Sequence, residues 1–162
     1  MLHEKFLTVL LMMFLLTGVA AAPKVEVNRA ELIQAALDAQ KNSYAPYSKF
    51  NVGAAVLCAS GKIYTGTNVE DASYRAGICA ERNAIFHAIA EGERQICAVA
   101  IVGGLNFTAS DYCAPCGVCR QGMREFAVPK NLLIIMAKSP TDYVEKTLEE
   151  LLPMSFGPDS LK

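Results

Sequence analysis

The spacing of hydrophobic and polar residues in the first half of the chain predicts a helix followed by a β-hairpin. Asn28 is a typical N-cap residue and Glu31 follows three positions later, as in a capping box. The apolar residues after it recur at helical spacing, so we expect a helix over 29–41. Two apolar runs at 52–58 and 62–69, separated by a Ser-Gly turn, then read as a hairpin.

Helices and strands alternate in the rest of the chain. We predict helices at 78–91, 115–126 and 147–152, and strands at 96–102, 132–136 and 143–146. Gly103 and Gly104 are expected to end the third strand, and Pro115 to occupy the first turn of its helix. This order is typical of a single α/β domain, a three-layer α/β/α sandwich around a mixed five-stranded sheet.

The first residues differ from the rest and predict a secretory signal peptide. A short polar start precedes an apolar run at 6–16, and small residues follow, with a cleavage site after Ala20. Residues 1–20 would then be the signal and 21–162 the domain. The apolar run is short for a transmembrane span, so a membrane anchor or an incorrectly chosen start is the alternative. The signal predicts secretion and, after its removal, no membrane association.

Charge and composition narrow the class of partner. Net charge is −1 and the isoelectric point is about 6.1, and no basic run of the kind that grips a nucleic acid backbone is present. A small, uncharged substrate is therefore favoured over a polynucleotide. With only two histidines, His3 and His87, the chain has little material for a Ser-His-Asp triad.

Three of the six cysteines form a metal-ligand pattern. Cys79 precedes Glu81 by two residues, and Cys116 and Cys119 are spaced as on one helix face. Three thiolates can hold a zinc ion whose fourth position stays open, as catalytic sites require. Glu81 is placed to handle the protons of a zinc-bound water, which is the arrangement of zinc deaminases that act on nucleobases. Helix starts at both cysteine groups would favour the thiolate.

Other interpretations of these cysteines remain open. Cys116 and Cys119 could be a redox pair, Cys113 could close a structural four-thiolate zinc site, or all could be buried thiols. If three cysteines bind zinc, the other three cannot all pair within the chain, which is typical of an intracellular protein. Arg82 is predicted to donate hydrogen bonds to sulfur and so restore acidity to the bound water. For Arg120 a surface position is about as good an interpretation.

The order of these motifs resembles the small homotetrameric cytidine deaminases of pyrimidine salvage. The resemblance rests on residues 44–55, 68–74, 79–82, 115–121 and 150–158, and covers nearly everything after about residue 28. Asp71 and the Asp159-Ser160 pair depart from the family pattern. The N-terminal apolar segment is foreign to this cytosolic family, so cytoplasmic localisation is the alternative to secretion.

The resemblance implies a role for each motif residue. Cys79, Cys116 and Cys119 would bind zinc, whose hydroxide attacks the amino-bearing ring carbon, with Glu81 as the proton shuttle. The implied substrate contacts are Phe50 against the pyrimidine, Asn68 and Glu70 on the ribose hydroxyls, the Ala80 backbone on the base, Tyr74 at the pocket border, and Phe156 in a neighbouring subunit's site. The expected reaction is deamination of cytidine and deoxycytidine in a homotetramer.

Two other functions remain alternatives. One is deamination of cytosine in RNA or of another amino-heterocycle. The other is a non-catalytic zinc module, for which Cys113 would complete a four-thiolate site and no turnover would occur.

Overall fold

A computed structural model of the protein describes residues 25–127 and 132–161. The helices are α1 (Arg29–Gln40), α2 (Ala80–Ala90), α3 (Gly117–Phe126) and α4 (Leu148–Leu151), and the strands are β1 (Phe50–Cys58), β2 (Ile63–Thr67), β3 (Ile96–Leu105), β4 (Leu133–Ser139) and β5 (Asp142–Thr147). A 3₁₀ turn, Pro158–Leu161, follows α4. The proposed signal and its cleavage site lie outside the described residues. Within the part that is described, no helix is both long and apolar enough to cross a membrane.

The five strands form one mixed sheet in the order β2-β1-β3-β4-β5. β3 and β4 are parallel, and the other neighbouring pairs are antiparallel. The predicted hairpin is β1–β2, with Ala54 opposite Gly66. The expected α/β architecture and mixed five-stranded sheet are confirmed.

Alternation along the central strands gives the sheet two apolar faces. On one face, Leu32, Ile33 and Ala36 of α1 pack against Ala55 and Leu57 of β1. The other face of β1 packs with α2 and α3, through residues that include Ala54, Val56, Ala84, Ile85, Cys119 and Met123. Because successive strand side chains point to opposite faces, one strand serves both cores. The result is three layers, with the starts of α2 and α3 on the same side of the sheet.

The third strand is longer than predicted. Gly103 and Gly104 do not end β3; they pair with Val52 and Asn51 of β1. A Cβ on Gly104 would lie 1.7 Å from the carbonyl oxygen of Thr108, and one on Gly103 would lie 2.8 Å from Cys113 Sγ. These glycines allow the following loop to pack directly on the strand. Pro115 also differs from the prediction, because it precedes the cap of α3 and lies outside the helix.

Gly66 allows α2 to approach the sheet closely, and we expect its replacement to be costly. A Cβ there would lie 2.2 Å from the Ala84 nitrogen and 2.7 Å from the Ala80 oxygen, both backbone atoms. Gly66→Ala should therefore lower the free energy of unfolding by about 3 kcal/mol, at the upper end for overpacking. Gly122→Ala is the control, because its added carbon would lie at ordinary contact distance from the Arg82 side chain, 3.7 Å from Cγ and 4.0 Å from Cδ. Equal denaturation midpoints for Gly66→Ala and the unchanged protein would contradict this packing.

Candidate active site

Two helix starts bring the three predicted zinc ligands together. Cys79 is the N-cap of α2, Cys116 is the N-cap of α3, and Cys119 lies in the first turn of α3. The Cys79 and Cys116 sulfurs are 3.9 Å apart, and those of Cys116 and Cys119 are 3.5 Å apart. The Cys116 sulfur also accepts the Cys119 N–H at 3.4 Å, so the ligand caps its own helix. All three sulfurs lie within 4.8 Å of one another.

The protonation of this cluster is uneven. Hydrogen bonding from Cys119, assisted by Arg82 and Cys116, lowers the pKa of Cys79 to about 5. The pKa of Cys119 is raised, because it donates to Cys79, is buried, and would ionise beside Glu81 and Cys79. Cys79 is therefore readily ionised, whereas Cys119 resists ionisation beside it. Metal ligation requires the thiolate form.

Arg82 lies beside the sulfurs, on α2. Burial opposes its charge, but hydrogen bonding and the negative charge of Cys79 and Cys119 outweigh that cost and raise the pKa of Arg82. Its Nε is buried and, among the described residues, has no hydrogen-bond partner. An unpaired buried donor costs free energy, so a fully deprotonated sulfur set would suit this side chain. This observation and the donor set both fit zinc.

Cys113 is not part of the sulfur cluster. In the described part of the chain, the donor atoms that come within 4.8 Å of one another are those of Cys79, Cys116 and Cys119. Burial, with the charges of Glu81 and Cys79, raises the pKa of Cys113 to about 11, which disfavours the thiolate. Its sulfur instead packs against Gly103. The geometry therefore favours a three-thiolate site over the closed four-thiolate alternative.

Glu81 is a buried carboxyl group close to the sulfurs. It is in the first turn of α2, and only 5% of its surface is exposed. Burial raises the pKa of Glu81, and the nearby Cys79 charge raises it further. A carboxyl group with a raised pKa accepts a proton more readily than an ordinary carboxylate, which suits general acid–base chemistry. The structure thus brings the predicted proton shuttle and the predicted ligands to one point.

A pocket of about 490 Å³ opens above this group. Of the predicted site residues, Asn68, Glu70, Tyr74, Cys79, Ala80, Glu81, Arg82 and Cys116 line it. Phe50, Cys119 and Phe156 are not among its lining residues. Cys119 is fully buried under the floor. Its absence from the wall is therefore consistent with a ligand role, whereas the two phenylalanines need a separate explanation.

Asn68 and Glu70 hold the backbone that forms one wall of the pocket. The Asn68 side chain accepts the Val52 N–H at 2.8 Å and donates to the Phe50 carbonyl at 2.8 Å. Glu70 Oε2 accepts the N–H groups of Tyr47 at 2.8 Å and Ser48 at 3.2 Å. Hydrogen bonding by Ser48 and by these N–H groups lowers the pKa of Glu70, so a negative charge faces the pocket.

The three predicted aromatic contacts lie in different places. Tyr74 borders the pocket, is 81% exposed, and has a positive φ of 61°. Phe50 lies behind the wall at the start of β1, 3.2 Å from where a Cβ on Gly103 would be. Phe156 is 61% exposed in the segment after α4. Of the three, only Tyr74 therefore lines the described pocket within a single chain.

Some residues of the site carry weaker sequence signals. Tyr47 lines the pocket and stacks near Tyr74, with ring centroids 5.7 Å apart. Asp71 and Arg75 also line it. Arg120 is not a surface residue without contacts: its guanidinium donates to the carbonyls of Pro115 at 2.8 Å and Leu151 at 2.9 Å. Hydrogen bonds to distant carbonyls have no local sequence pattern, which is why Arg120 was ambiguous.

Comparisons with known proteins agree with this geometry. The family profile for the cytidine and deoxycytidylate deaminase zinc-binding region matches residues 27–135. A cytidine deaminase of Halalkalibacterium halodurans is 38% identical over 83% of this chain and 98% of its own length. A probable cytidine deaminase of Dictyostelium discoideum is 36% identical over 83% of this chain and 90% of its own.

Solved structures give the same result. The crystal structure of cytidine deaminase from Burkholderia pseudomallei superimposes with a TM-score of 0.71 and 40% identity, covering 81% of this chain and all of that one. The crystal structure of cytidine deaminase from Mycobacterium tuberculosis superimposes with a TM-score of 0.69 and 36% identity, covering 82% of this chain and 99% of that one. The segment matched by the family profile, residues 27–135, includes the hairpin, both cysteine segments and the strand between them. The chain belongs to the cytidine and deoxycytidylate deaminase family of zinc-binding proteins.

Proposed function

We propose that this protein is a zinc-dependent deaminase that hydrolyses cytidine and deoxycytidine to uridine and deoxyuridine, a reaction of pyrimidine salvage. The observation that carries the proposal is a buried carboxyl group, Glu81, beside three clustered thiols at the floor of a pocket. Hydrolytic deamination requires an activated water and a proton shuttle within reach of it. The site offers residues for both.

Glu81 performs the proton transfers. Cys79, Cys116 and Cys119 would hold the zinc ion, which would supply a water of lowered pKa. Glu81 takes a proton from the water and gives it to the ring nitrogen next to the amino-bearing carbon. The water oxygen bonds to the amino-bearing carbon, and Glu81 transfers the remaining proton of that oxygen to the amino group. The carbon–nitrogen bond then breaks, ammonia leaves, and the base keeps the oxygen as a carbonyl. The raised pKa of Glu81 favours the first of these steps, the acceptance of a proton from the water.

Polar groups of the pocket wall support a nucleoside as the substrate. Glu70 presents a carboxylate that can accept hydrogen bonds from ribose hydroxyls and would repel a phosphate. Asn68 is the proposed second ribose contact, and the Ala80 backbone, at the start of α2, the contact for the base. Tyr74 covers the pocket border. Phe50 is the proposed stacking partner of the pyrimidine.

Arg82 tunes the sulfur ligands by drawing electron density from them. We expect Arg82→Met to keep zinc but to lower kcat by about tenfold or more, within the range for outer-shell partners of a metal. Arg82→Lys should recover only part of this loss, because lysine lacks the planar fork. Arg94→Met, which removes an exposed arginine that contacts only nearby carbonyls, is the control. An unchanged kcat in Arg82→Met would exclude the proposed role.

We further propose a homotetramer in which neighbouring copies complete each site. Large apolar side chains stay exposed at the pocket, among them Tyr47 at 47% and Tyr74 at 81%. Clustered exposed aromatic residues are typical of an interface. Light scattering on the purified chain tests this, and a monomer that is fully active would contradict it.

For the compartment we propose secretion after cleavage behind Ala20, on the basis of the N-terminal sequence pattern. N-terminal sequencing of protein recovered outside the cell should give Ala21 as the first residue. Intact protein retained in the cytoplasm, with Met1 still present, would instead favour the usual cytoplasmic location.

A substrate panel tests the proposed reaction. Purified protein is incubated with cytidine, deoxycytidine, CMP, adenosine and a short RNA, and released ammonia is measured. We expect turnover of the two nucleosides only. Release from the RNA, with binding that falls as salt rises, would favour the RNA alternative. No release from any substrate by zinc-loaded protein would favour a non-catalytic zinc module.

A further inference from the structure

The helix that carries two of the zinc ligands also holds the C-terminal segment of the chain. Gln121 Nε2 donates to the Phe156 carbonyl at 3.1 Å. Arg124 Nε donates to Ser155 Oγ at 3.1 Å, and its Nη2 contacts Asp159 Oδ2 at 3.1 Å. We refer to residues 155–159 as the C-terminal hook. The hook is therefore attached to α3 at both of its ends and in its middle.

Arg124 is the centre of this attachment. Its side chain is 11% exposed, although that of Asp159 is 55% exposed. A Cβ on the buried Gly157 would lie 2.7 Å from Arg124 Cζ and 2.8 Å from Nε, so the guanidinium packs directly on the glycine backbone. The ion pair alone would contribute little at the surface. Packing and two directed hydrogen bonds together define one position for the hook.

The hook presents Phe156 outward. Its carbonyl is fixed by Gln121, yet its ring is 61% exposed and does not line the pocket of its own chain. The backbone of this segment is therefore held in place although its large apolar side chain is not buried. Such an arrangement is useful if the ring is buried against another molecule, because the ordering of the backbone has already been achieved.

We infer that Arg124 is a positioning residue for the deamination reaction. It holds the hook on α3 so that Phe156 enters the substrate pocket of an adjoining copy in one orientation. This inference rests on the proposed function and on the proposed sharing of sites between copies. Since Cys116 caps α3 and Cys119 lies in its first turn, the hook of each copy and part of its metal site are attached to the same helix.

The first test measures the mobility of the hook and does not depend on enzymatic activity. The sequence contains no tryptophan, so Phe156→Trp introduces a single tryptophan at the hook, which can be excited selectively over tyrosine. We expect adding Arg124→Met to increase the amplitude of its fast anisotropy decay. Gly157→Ala should do the same while preserving every charge, because its added carbon would displace the guanidinium. Arg94→Met is the control and should have no effect. Identical decays in all variants would overturn the inference.

The second test uses kinetics with cytidine on the full, zinc-loaded protein. Arg124→Met and Gly157→Ala should each raise KM about three- to tenfold, the range for immobilising one side chain, with kcat within about twofold and zinc content unchanged. Phe156→Ala should raise KM at least as much. Adding Arg124→Met to Phe156→Ala should then raise it no further.

The kinetic outcomes are decisive in either direction. Multiplicative effects of Arg124→Met and Phe156→Ala, or an unchanged KM in Phe156→Ala, would overturn the inference. If Arg124→Met fails to fold, Gly157→Ala still provides both tests. If the unchanged protein releases no ammonia, the deaminase proposal fails, whereas the anisotropy comparison still decides whether Arg124 holds the hook.

Discussion

Glu81→Gln is expected to stop ammonia release from cytidine while zinc stays bound. Glutamine has nearly the same size and fills the same buried position at the start of α2, but it cannot take up and return a proton. General acid–base catalysis contributes about 10²–10⁴-fold to a rate, and one residue here serves several transfers, so turnover should fall by about 10⁴-fold. A quenched-reaction assay of released ammonia measures the turnover, and metal analysis of the same sample measures the bound zinc.

A matched control distinguishes the loss of a carboxylate charge on this helix from the loss of the proton shuttle. Glu91→Gln removes an exposed carboxyl group at the other end of the same helix and should leave turnover within about twofold of the unchanged protein. Because Glu81 is buried, its neutral replacement should not lower thermal stability. Loss of zinc in Glu81→Gln would identify Glu81 as a ligand and remove it from the role of shuttle.

Cys79→Ala should remove the metal itself, and activity with it. Cys79 is the one ligand that α2 supplies, and it bridges to α3 through its 3.9 Å contact with Cys116. Two remaining thiolates on one helix turn leave zinc with half of the four ligands it prefers. We expect bound zinc below about one tenth of an equivalent after dialysis, and a lower melting temperature because the bound metal no longer favours the folded state.

Cys97→Ala is the control for this variant. Its thiol is partly buried on β3, outside the sulfur cluster, and burial raises the pKa of Cys97. It should retain a full equivalent of zinc. Full zinc and activity in Cys79→Ala, together with loss of zinc in Cys113→Ala, would show that the ligand set is wrong.

Local sequence patterns were sufficient to predict most helices and strands, and also the cysteine ligands and the glutamate of the site. The Asn28 cap is present, with its side chain accepting the Glu31 N–H at 3.3 Å. The cysteine and glutamate motifs could be placed because they lie at helix starts, where spacing along the chain fixes which side chains meet. The order of helices and strands then placed both helix starts on one side of the sheet.

Features that depend on distant contacts could not be predicted in this way. Gly103 and Gly104 look like a strand end, yet they continue β3 because the loop at Thr108 and Cys113 packs where side chains would be. Arg120 bonds to the Leu151 carbonyl, 31 positions away. Phe50 and Phe156 do not line the pocket of their own chain, and Phe156 is proposed to complete the site of a neighbouring copy.

The number of sulfur atoms around the bound zinc tests the account most directly. X-ray absorption at the zinc edge of the zinc-loaded, full-length protein counts these neighbours. We expect three, from Cys79, Cys116 and Cys119, and an identical spectrum for Cys113→Ala. Four sulfur neighbours, falling to three in Cys113→Ala, would mean a closed structural site with no room for a reacting water.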